Sequence, residues 1–246
     1  MFYLAFIVGV ASYIQANFGF SFTLIAVALV VALGLSDLHT ITAVVSFLVV
    51  FNSSIALATS SVQLSWRIFF PTAVSMVPAL GLGVYLLYAI PPSSADLLQL
   101  ALGVCVTAVG AVFGLSTANR KQTMLSRPRL SFAGATSGVL GGLFGAAGPP
   151  LVYELYRQKV SVHVIKKTLL GLLLVFGVFR SSFVVLEGGI STDVMLITAK
   201  CLPAAIIGAW VGNKLLLPIK DDARETIAML LLIPIGLMLI VGSIWS

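Results

Sequence analysis

The sequence predicts an all-α polytopic membrane protein made of two inverted repeats, each a re-entrant helical hairpin followed by three transmembrane helices. Composition is the first observation: 59% of the residues are hydrophobic and 9% are charged, against roughly 25% charged in a soluble domain. The second is a series of eight apolar stretches, two of which are interrupted. The third is that the basic residues outside these stretches all fall in loops that a single topology places on one side.

The first repeat is predicted over residues 1–117. The stretch 2–34 is longer than the roughly 20 residues that one membrane helix needs. It is also interrupted by the sequence NFGFS at 17–21. We therefore predict a hairpin that enters the membrane from outside and returns there. Three single crossings are predicted to follow it, over 40–58, 68–90 and 97–117.

A basic cytoplasmic linker over 118–130 separates this repeat from the second one, predicted over 131–246. The second repeat opens with the stretch 131–156, which is interrupted by GAAGPP at 145–150. Proline cannot continue an incoming helix because it lacks the N–H and clashes with the preceding turn, but it suits the first turn of a new helix. We therefore predict a second hairpin. Three further crossings are predicted over 168–186, 194–217 and 226–245.

The basic loops on either side of 131–156 favour the hairpin over a single crossing. Four Lys or Arg residues lie in 118–130 and four more in 157–167. One crossing would put these two groups on opposite sides, against the positive-inside rule. A re-entrant hairpin places both in the cytoplasm, and all other loops then agree. This topology puts both termini outside a multi-pass protein of the cell (inner, cytoplasmic) membrane.

The two halves also match in sequence. Phe18-Gly19 corresponds to Phe144-Gly145 at an offset of 126 residues, and Pro78 and Gly83 correspond to Pro203 and Gly208 at an offset of 125. A hairpin plus three crossings is an odd number of traverses, so the halves have opposite orientations. Inverted repeats with broken helices that meet near the midplane are typical of secondary transporters.

The segments GGLFGAAGPPLV at 141–152 and QANFGFSF at 15–22, together with this two-fold layout, resemble the TauE/SafE (sulfite exporter or sulfonate uptake permease) family. The chain departs from the more glycine-rich turn of that family at Ala146-Ala147 and Pro149-Pro150. The resemblance implies a secondary transporter for small sulfur-containing anions such as sulfite or organosulfonates. It would work by alternating access around a midplane anion site between the two hairpin tips.

Two basic residues fall well inside predicted crossings, away from the crossing ends, where charges are costly and usually functional. Arg180 lies seven residues before Glu187, and Lys200 lies seven residues after Asp193, so both are roughly 10 Å below the outer face at about 1.5 Å per residue. Lys200 also continues the small-residue stripe 204–212, which predicts that it faces protein. We expect the two side chains to bind an oxyanion, Arg as a fork and Lys as a point charge. The alternative is that both snorkel to the interface.

Neutral contacts are expected around the two breaks, because helices that restart near Ser21 and Pro150 present free N–H groups and positive dipole ends. Ser21 is also predicted to cap the first of these helices. The repeat register adds Ser75, opposite Lys200, and Asn52 is expected either to line the path or to form an interhelical hydrogen bond. The alternative for the glycines is close packing alone. The predicted neutral substrate-binding residues are Asn17, Phe18, Gly19, Ser21, Asn52, Ser75, Phe144, Gly145, Gly148 and Pro149.

Glu154 follows the second break by about one turn and is a candidate coupling residue. Arg157, at i+3, could instead neutralise it. The sequence leaves open whether a proton or a sodium ion is coupled, and whether the protein forms a homodimer.

Other classes of function are weighed against the transporter. A passive anion channel or a carrier of small carboxylates would use the same basic lining and stays open. An intramembrane enzyme is least favoured, because no His lies in an apolar stretch to act as base and no intramembrane Asp pair or metal cluster is present. We therefore predict no catalytic residues, cofactor, metal or nucleic-acid partner. The expected partners are a small anionic substrate and the lipid bilayer.

Overall fold

The computed structural model describes residues 2–18, 20–58, 63–91, 94–116, 126–145, 147–215, 230 and 232–245. Within these ranges the chain forms ten helices and no strand. In chain order the helices are α1 (Phe2–Phe18), α2 (Phe22–Ala32), α3 (Leu38–Ala58), α4 (Trp66–Ala89), α5 (Ala95–Ser116), α6 (Arg127–Phe144), α7 (Gly148–Tyr156), α8 (Val162–Leu186), α9 (Thr192–Lys214) and α10 (Leu232–Trp245).

Four of these helices, α3, α4, α8 and α9, are long and apolar enough to cross a membrane. The prediction of an all-α polytopic membrane protein is thereby confirmed for the part of the chain that the structure describes. Some predicted segments lie partly outside the described residues. In the linker these are residues 118–125. In the crossing 194–217 they are residues 216 and 217, and in the crossing 226–245 they are residues 226–229 and 231.

Two helices begin a full turn or more before the start that hydropathy predicts. Helix α8 begins at Val162 rather than 168, because Ser161 caps it by accepting a hydrogen bond from the Val164 N–H at 3.4 Å. Part of the predicted basic loop 157–167 is therefore helical. Helix α6 begins at Arg127 rather than 131, with Pro128 in its first turn, where a missing N–H leaves no hydrogen bond unmade. Hydropathy marks only the apolar part of a helix, so it misses such polar first turns.

Both interruptions in the apolar stretches are breaks between helices. The first break, described at Phe20 and Ser21, separates α1 from α2, and the second break, described at Gly145 and Ala147, separates α6 from α7. Gly145 ends α6 in the left-handed region, with φ of 71°, and its N–H donates to the Gly141 oxygen at 2.8 Å. This is a common helix C-terminus, and glycine adopts it without strain.

Helix α6 packs in parallel against α4 through small residues. Three glycines of α6, each four residues from the next, face successive turns of α4 so closely that an added Cβ would lie under 3.0 Å from the α4 backbone. Such contacts let two membrane helices approach closely. The glycines are Gly134, Gly138 and Gly142, and they face the carbonyl oxygens of Thr72, Met76 and Leu80.

Helices α1 and α9 form a second parallel pair of the same kind. Gly208 packs on the backbone of Gly9, and Gly212 packs on that of Tyr13. Between the two pairs, α3 and α8 cross antiparallel, with Gly177 against Val49. Helix α3 also contacts α9, and α8 also contacts α4. The central α3–α8 pair therefore joins the two glycine-packed pairs, and both breaks lie beside it.

Candidate functional site

An enclosed cavity lies where the two breaks meet, and we call it the break cavity. Its volume is about 10 Å³, which is space for about one water molecule. The first turn of α2, the start of α7 and the middles of α3 and α8 surround it, and none of its lining residues is an acid or a base. These residues are Gln15, Phe20, Ser21, Phe22, Thr23, Leu24, Val49, Gly148 and Leu173.

The first turn of α2 supplies the hydrogen-bond donors of this cavity. The N–H of Ile25 is the first in α2 to donate to a backbone oxygen of its own helix, that of Ser21 at 2.9 Å. The amides of Phe22, Thr23 and Leu24 precede it and have no intrahelical acceptor. They lie at the positive end of the helix dipole. The arrangement favours an anionic or strongly polar acceptor in the cavity.

Ser21 adds a hydroxyl group that bonds to none of the residues that the structure describes. The side chain is 5% exposed and its Oγ has no hydrogen-bond partner. The prediction that Ser21 caps α2 is wrong: it occupies the N-cap position but makes no side-chain cap bond. Its φ is 84°, whereas a capping serine needs extended backbone to reach the following N–H groups. The hydroxyl is thus left for another partner.

Gln15 also lines the cavity and is held there by α3. Asn52 Nδ2 donates to Gln15 Oε1 at 2.6 Å, and Gln15 Nε2 donates to Ser53 Oγ at 3.4 Å. All three side chains are buried. Of the two roles expected for Asn52, it therefore makes the interhelical hydrogen bond. Gln15 was missed as a site residue, although a glutamine just before a break in an apolar helix was a usable signal.

The second break reaches the cavity through Gly148. A Cβ added there would lie 3.7 Å from Phe20, so the start of α7 and the first break face each other at the cavity. Phe144 is buried, and Gly145 lies beside Val27 of α2 and Thr42 of α3, but neither lines the cavity.

Helix α7 contributes fewer donors than expected. It begins at Gly148 rather than near Pro150, and two prolines follow in its first turn, where each lacks an N–H. Phe18 ends α1 and Pro149 lies in α7, but their side chains, and Gly19 altogether, are outside the described residues.

Arg180 is fully buried and bonds to protein atoms outside the cavity. Its Nε donates to the Gly141 oxygen at 2.8 Å and its Nη2 to the Gly142 oxygen at 3.0 Å. Its Nη1 donates to the Thr42 oxygen and to Ser46 Oγ on α3. Snorkelling is therefore wrong for this residue. The guanidinium meets the negative, carbonyl end of α6, where a cation is favourable.

Lys166 likewise bonds to carbonyl oxygens at the C-terminal end of α1. Its Nζ donates to the Ala16 oxygen at 2.6 Å and to the Asn17 oxygen at 3.2 Å. The position of Lys166 in the predicted basic loop 157–167 gives no sign of this contact. Asn17 turns its side chain away from the cavity, because Nδ2 donates to the Tyr13 and Gly212 oxygens at 3.0 and 3.3 Å. Each incoming hairpin helix thus ends on a cation from α8.

Comparison with known proteins assigns the chain. A family model described as "Sulfite exporter TauE/SafE" matches residues 4–239. The chain belongs to the TauE/SafE family. A protein of Cupriavidus necator, named "Probable sulfite/organosulfonate exporter TauE", is 30% identical over 241 residues, which are 97% of this chain and 93% of that protein. No solved structure matches. The resemblance seen in the sequence is confirmed, and as a TauE/SafE protein the chain is a membrane transporter and not an enzyme.

Two residues that the sequence analysis assigned to the site of this TauE/SafE protein lie elsewhere. Lys200 is exposed, so the prediction that it faces protein is wrong. The buried face in this part of α9 passes through Val194, Cys201 and Ala205 instead. Ser75 lines a separate groove on α4, and its Oγ donates to the Pro71 oxygen at 3.0 Å.

Glu154 of the TauE/SafE protein is half-buried on α7, and its Oε2 is buried without a hydrogen-bond partner. The alternative that Arg157 neutralises it is wrong. The Arg157 guanidinium lies 5.2 Å from the Tyr153 ring centre and donates to the Tyr153 hydroxyl at 3.2 Å. Among the residues that the structure describes, no cation forms an ion pair with this carboxylate.

Proposed function

We propose that this protein is a secondary transporter for small sulfur-containing anions such as sulfite or an organosulfonate, and that it binds them in the break cavity. The observation that carries the proposal is the concentration of unpaired donors around this enclosed space. The Ser21 hydroxyl has no partner in the described part of the chain, and the first amides of α2 have no intrahelical acceptor. The name of the C. necator relative supplies the substrate class.

Neutral donors suit a carrier of oxyanions. The N-terminal end of α2 is equivalent to roughly half a positive charge. Several N–H and O–H groups can donate hydrogen bonds to the oxygens of a sulfite or sulfonate group. A full cation in the cavity would bind such an anion more tightly and slow its release. The lining therefore favours binding that can be reversed on the other side of the membrane.

Arg180 and Lys166 support this site without touching the cavity. Helices α1 and α6 end at the breaks, so the negative ends of their dipoles lie beside the proposed anion. Arg180 bonds to carbonyl groups at the end of α6, and Lys166 bonds to those at the end of α1. We infer that these two cations offset the carbonyl ends, so that the positive end of α2 determines the local potential.

The packing supports the inverted-repeat proposal, with repeats over 1–117 and 131–246. Helices in equivalent positions make equivalent contacts: α6 packs in parallel on α4, and α1 packs in parallel on α9. Helix α3 meets its counterpart α8 antiparallel, and α5 meets its counterpart α10 in the same way. A two-fold axis in the membrane plane reverses helix direction, so this pattern is the one expected of inverted repeats.

The size of the cavity supports the proposal of alternating access. A space for one water molecule cannot hold sulfite, so in this proposal Gly148 and Phe20 move apart to admit substrate. The small cavity favours a carrier over a passive channel. We further propose that both hairpins are re-entrant, so that the basic loops face the cytoplasm and both termini lie on the outer side of the inner membrane.

For the coupling, we propose that Glu154 exchanges a proton. Sodium is the alternative coupling ion.

Thermal unfolding of the purified protein tests the substrate. Sulfite, sulfoacetate, taurine, thiosulfate, sulfate and small carboxylates should be compared, because a ligand at 100 times its Kd stabilises the folded state by about 2.7 kcal/mol. We expect a sulfite or sulfonate to raise the Tm most. Stabilisation by carboxylates alone would make the protein a carboxylate carrier. In proteoliposomes, transport that never accumulates the anion against its own electrochemical gradient would indicate a channel.

A further inference from the structure

A second cavity lies where α4 and α6 begin, apart from the proposed transport site. It has a volume of about 440 Å³ and is lined by Trp66, Arg67, Phe70, Val74 and Arg127, with Ser75 and Ser131 among the other lining residues. We call it the arginine groove. It shares no lining residue with the break cavity.

The two arginines of this groove are available to a ligand. Arg67 lies in the first turn of α4 and Arg127 in the first turn of α6, and the parallel packing of the two helices puts both at the same end. Both are exposed. Neither forms an ion pair or a side-chain hydrogen bond with any residue that the structure describes. A basic residue in a first turn opposes the helix dipole, so helix stability does not explain them.

The rest of the groove is an apolar stripe along α4. Trp66, Phe70 and Val74 are spaced by four residues and are 58%, 57% and 69% exposed. The rings of Trp66 and Phe70 are 5.3 Å apart. Tryptophan is enriched at the level of lipid headgroups. The stripe therefore runs from the membrane surface, beside the two arginines, toward the hydrocarbon core.

We propose that the arginine groove binds an anionic phospholipid. The headgroup phosphate lies between Arg67 and Arg127, and one acyl chain runs along Phe70 and Val74. The charge complementarity selects the headgroup, and the exposed stripe matches the tail. A soluble anion would leave the apolar part of the groove without a ligand. The bound lipid connects the start of α4 to the start of α6, the helix that leads into the second break.

The test titrates the purified full-length protein with dioleoylphosphatidylglycerol and, separately, with dioleoylphosphatidylcholine, with bound lipid counted by native mass spectrometry. The double variant Arg67→Gln/Arg127→Gln should bind the phosphatidylglycerol about 30-fold more weakly, from two basic contacts near the membrane surface. Arg129→Gln is the matched control, because Arg129 is also exposed in the first turn of α6 but does not line the groove. It should change the affinity less than about twofold.

Several results would overturn the proposal. One is equal binding of the two lipids by the unchanged protein. Another is a loss of phosphatidylglycerol affinity in Arg129→Gln as large as that in the double variant. The third is no loss of affinity in the double variant. Tight binding of inorganic phosphate, with displacement of the lipid, would assign the groove to a soluble anion instead. If the double variant does not fold, each single variant should still lose about 5-fold, and no loss in either would contradict the assignment. Binding of sulfite or sulfonate should be unchanged in all of them.

Discussion

Ser21 allows backbone strain and proposed binding chemistry to be separated by mutation. Its φ of 84° is in the left-handed region, which costs an L-residue about 1–2 kcal/mol. Glycine relieves that cost but loses about 0.5–1 kcal/mol of backbone entropy relative to alanine. We therefore expect Ser21→Gly to be more stable than Ser21→Ala by about 1 kcal/mol. The free energy of unfolding, measured by denaturant titration in mixed micelles, checks this difference.

Both Ser21 variants remove the same hydroxyl group, so both should lose anion affinity equally. A hydrogen bond to a charged group contributes about 1.5–3 kcal/mol, which corresponds to a roughly 10- to 150-fold rise in Kd. Isothermal titration with the anion that raises the Tm most measures this change. Ser181→Ala is the matched control, because Ser181 has another buried, unpartnered hydroxyl that does not line the cavity.

The two measurements refute different parts of the reasoning. Unchanged affinity in Ser21→Gly and Ser21→Ala would show that the hydroxyl does not bind the anion. Equal stability of these two variants would contradict the assignment of strain. An affinity loss in Ser181→Ala as large as theirs would mean that any buried serine has this effect. Only higher stability in Ser21→Gly, together with weak binding in both Ser21 variants, supports the proposed site.

The other predictions concern three further positions. Arg180→Met should lower the free energy of unfolding by about 3 kcal/mol or more, because it removes the hydrogen bonds that the buried guanidinium donates to α3 and α6, and Arg180→Lys should restore part of it; an unchanged Tm for Arg180→Met would contradict this. Lys200→Gln should alter the anion Kd by less than about twofold, because the side chain is exposed, and a large loss measured by titration would return Lys200 to the site. Gly148→Ala should fold normally, since its Cβ would make an ordinary 3.7 Å contact with Phe20. Gly148→Leu should stop transport in proteoliposomes by filling the cavity, and wild-type flux would exclude the cavity from the path.

The helices and their breaks could be predicted because they depend on local sequence. Apolar length marks the membrane helices, and glycine or proline marks where a helix stops. Five of the six predicted single crossings begin within about six residues of the observed helices, and the start of the sixth lies outside the described residues. The errors lie at polar first turns such as Val162 to Thr168, which a cap defines and hydropathy ignores.

The details of the site could not be predicted because they depend on contacts between distant segments. Lys200 and Arg180 are both basic residues in apolar helices, yet one is exposed and the other fully buried. The difference arises from α3 and α6, which supply carbonyl groups to Arg180 from more than thirty residues away. The left-handed backbone of Ser21 likewise depends on how α1 and α2 are held. Residue type shows that burying a polar group in lipid is costly. It does not show which atom of another helix will form the hydrogen bond that offsets this cost.

If the protein alternates access as proposed, Lys166 and Arg180 also connect the two hairpins mechanically through α8. They are fourteen residues apart on one helix, about 21 Å along its axis. Each is bonded to the end of a different hairpin helix. A rigid displacement of α8 would therefore move the C-terminal ends of α1 and α6 together. A carrier whose two gates moved independently could open both at once and dissipate its driving gradient, and a shared helix opposes that leak.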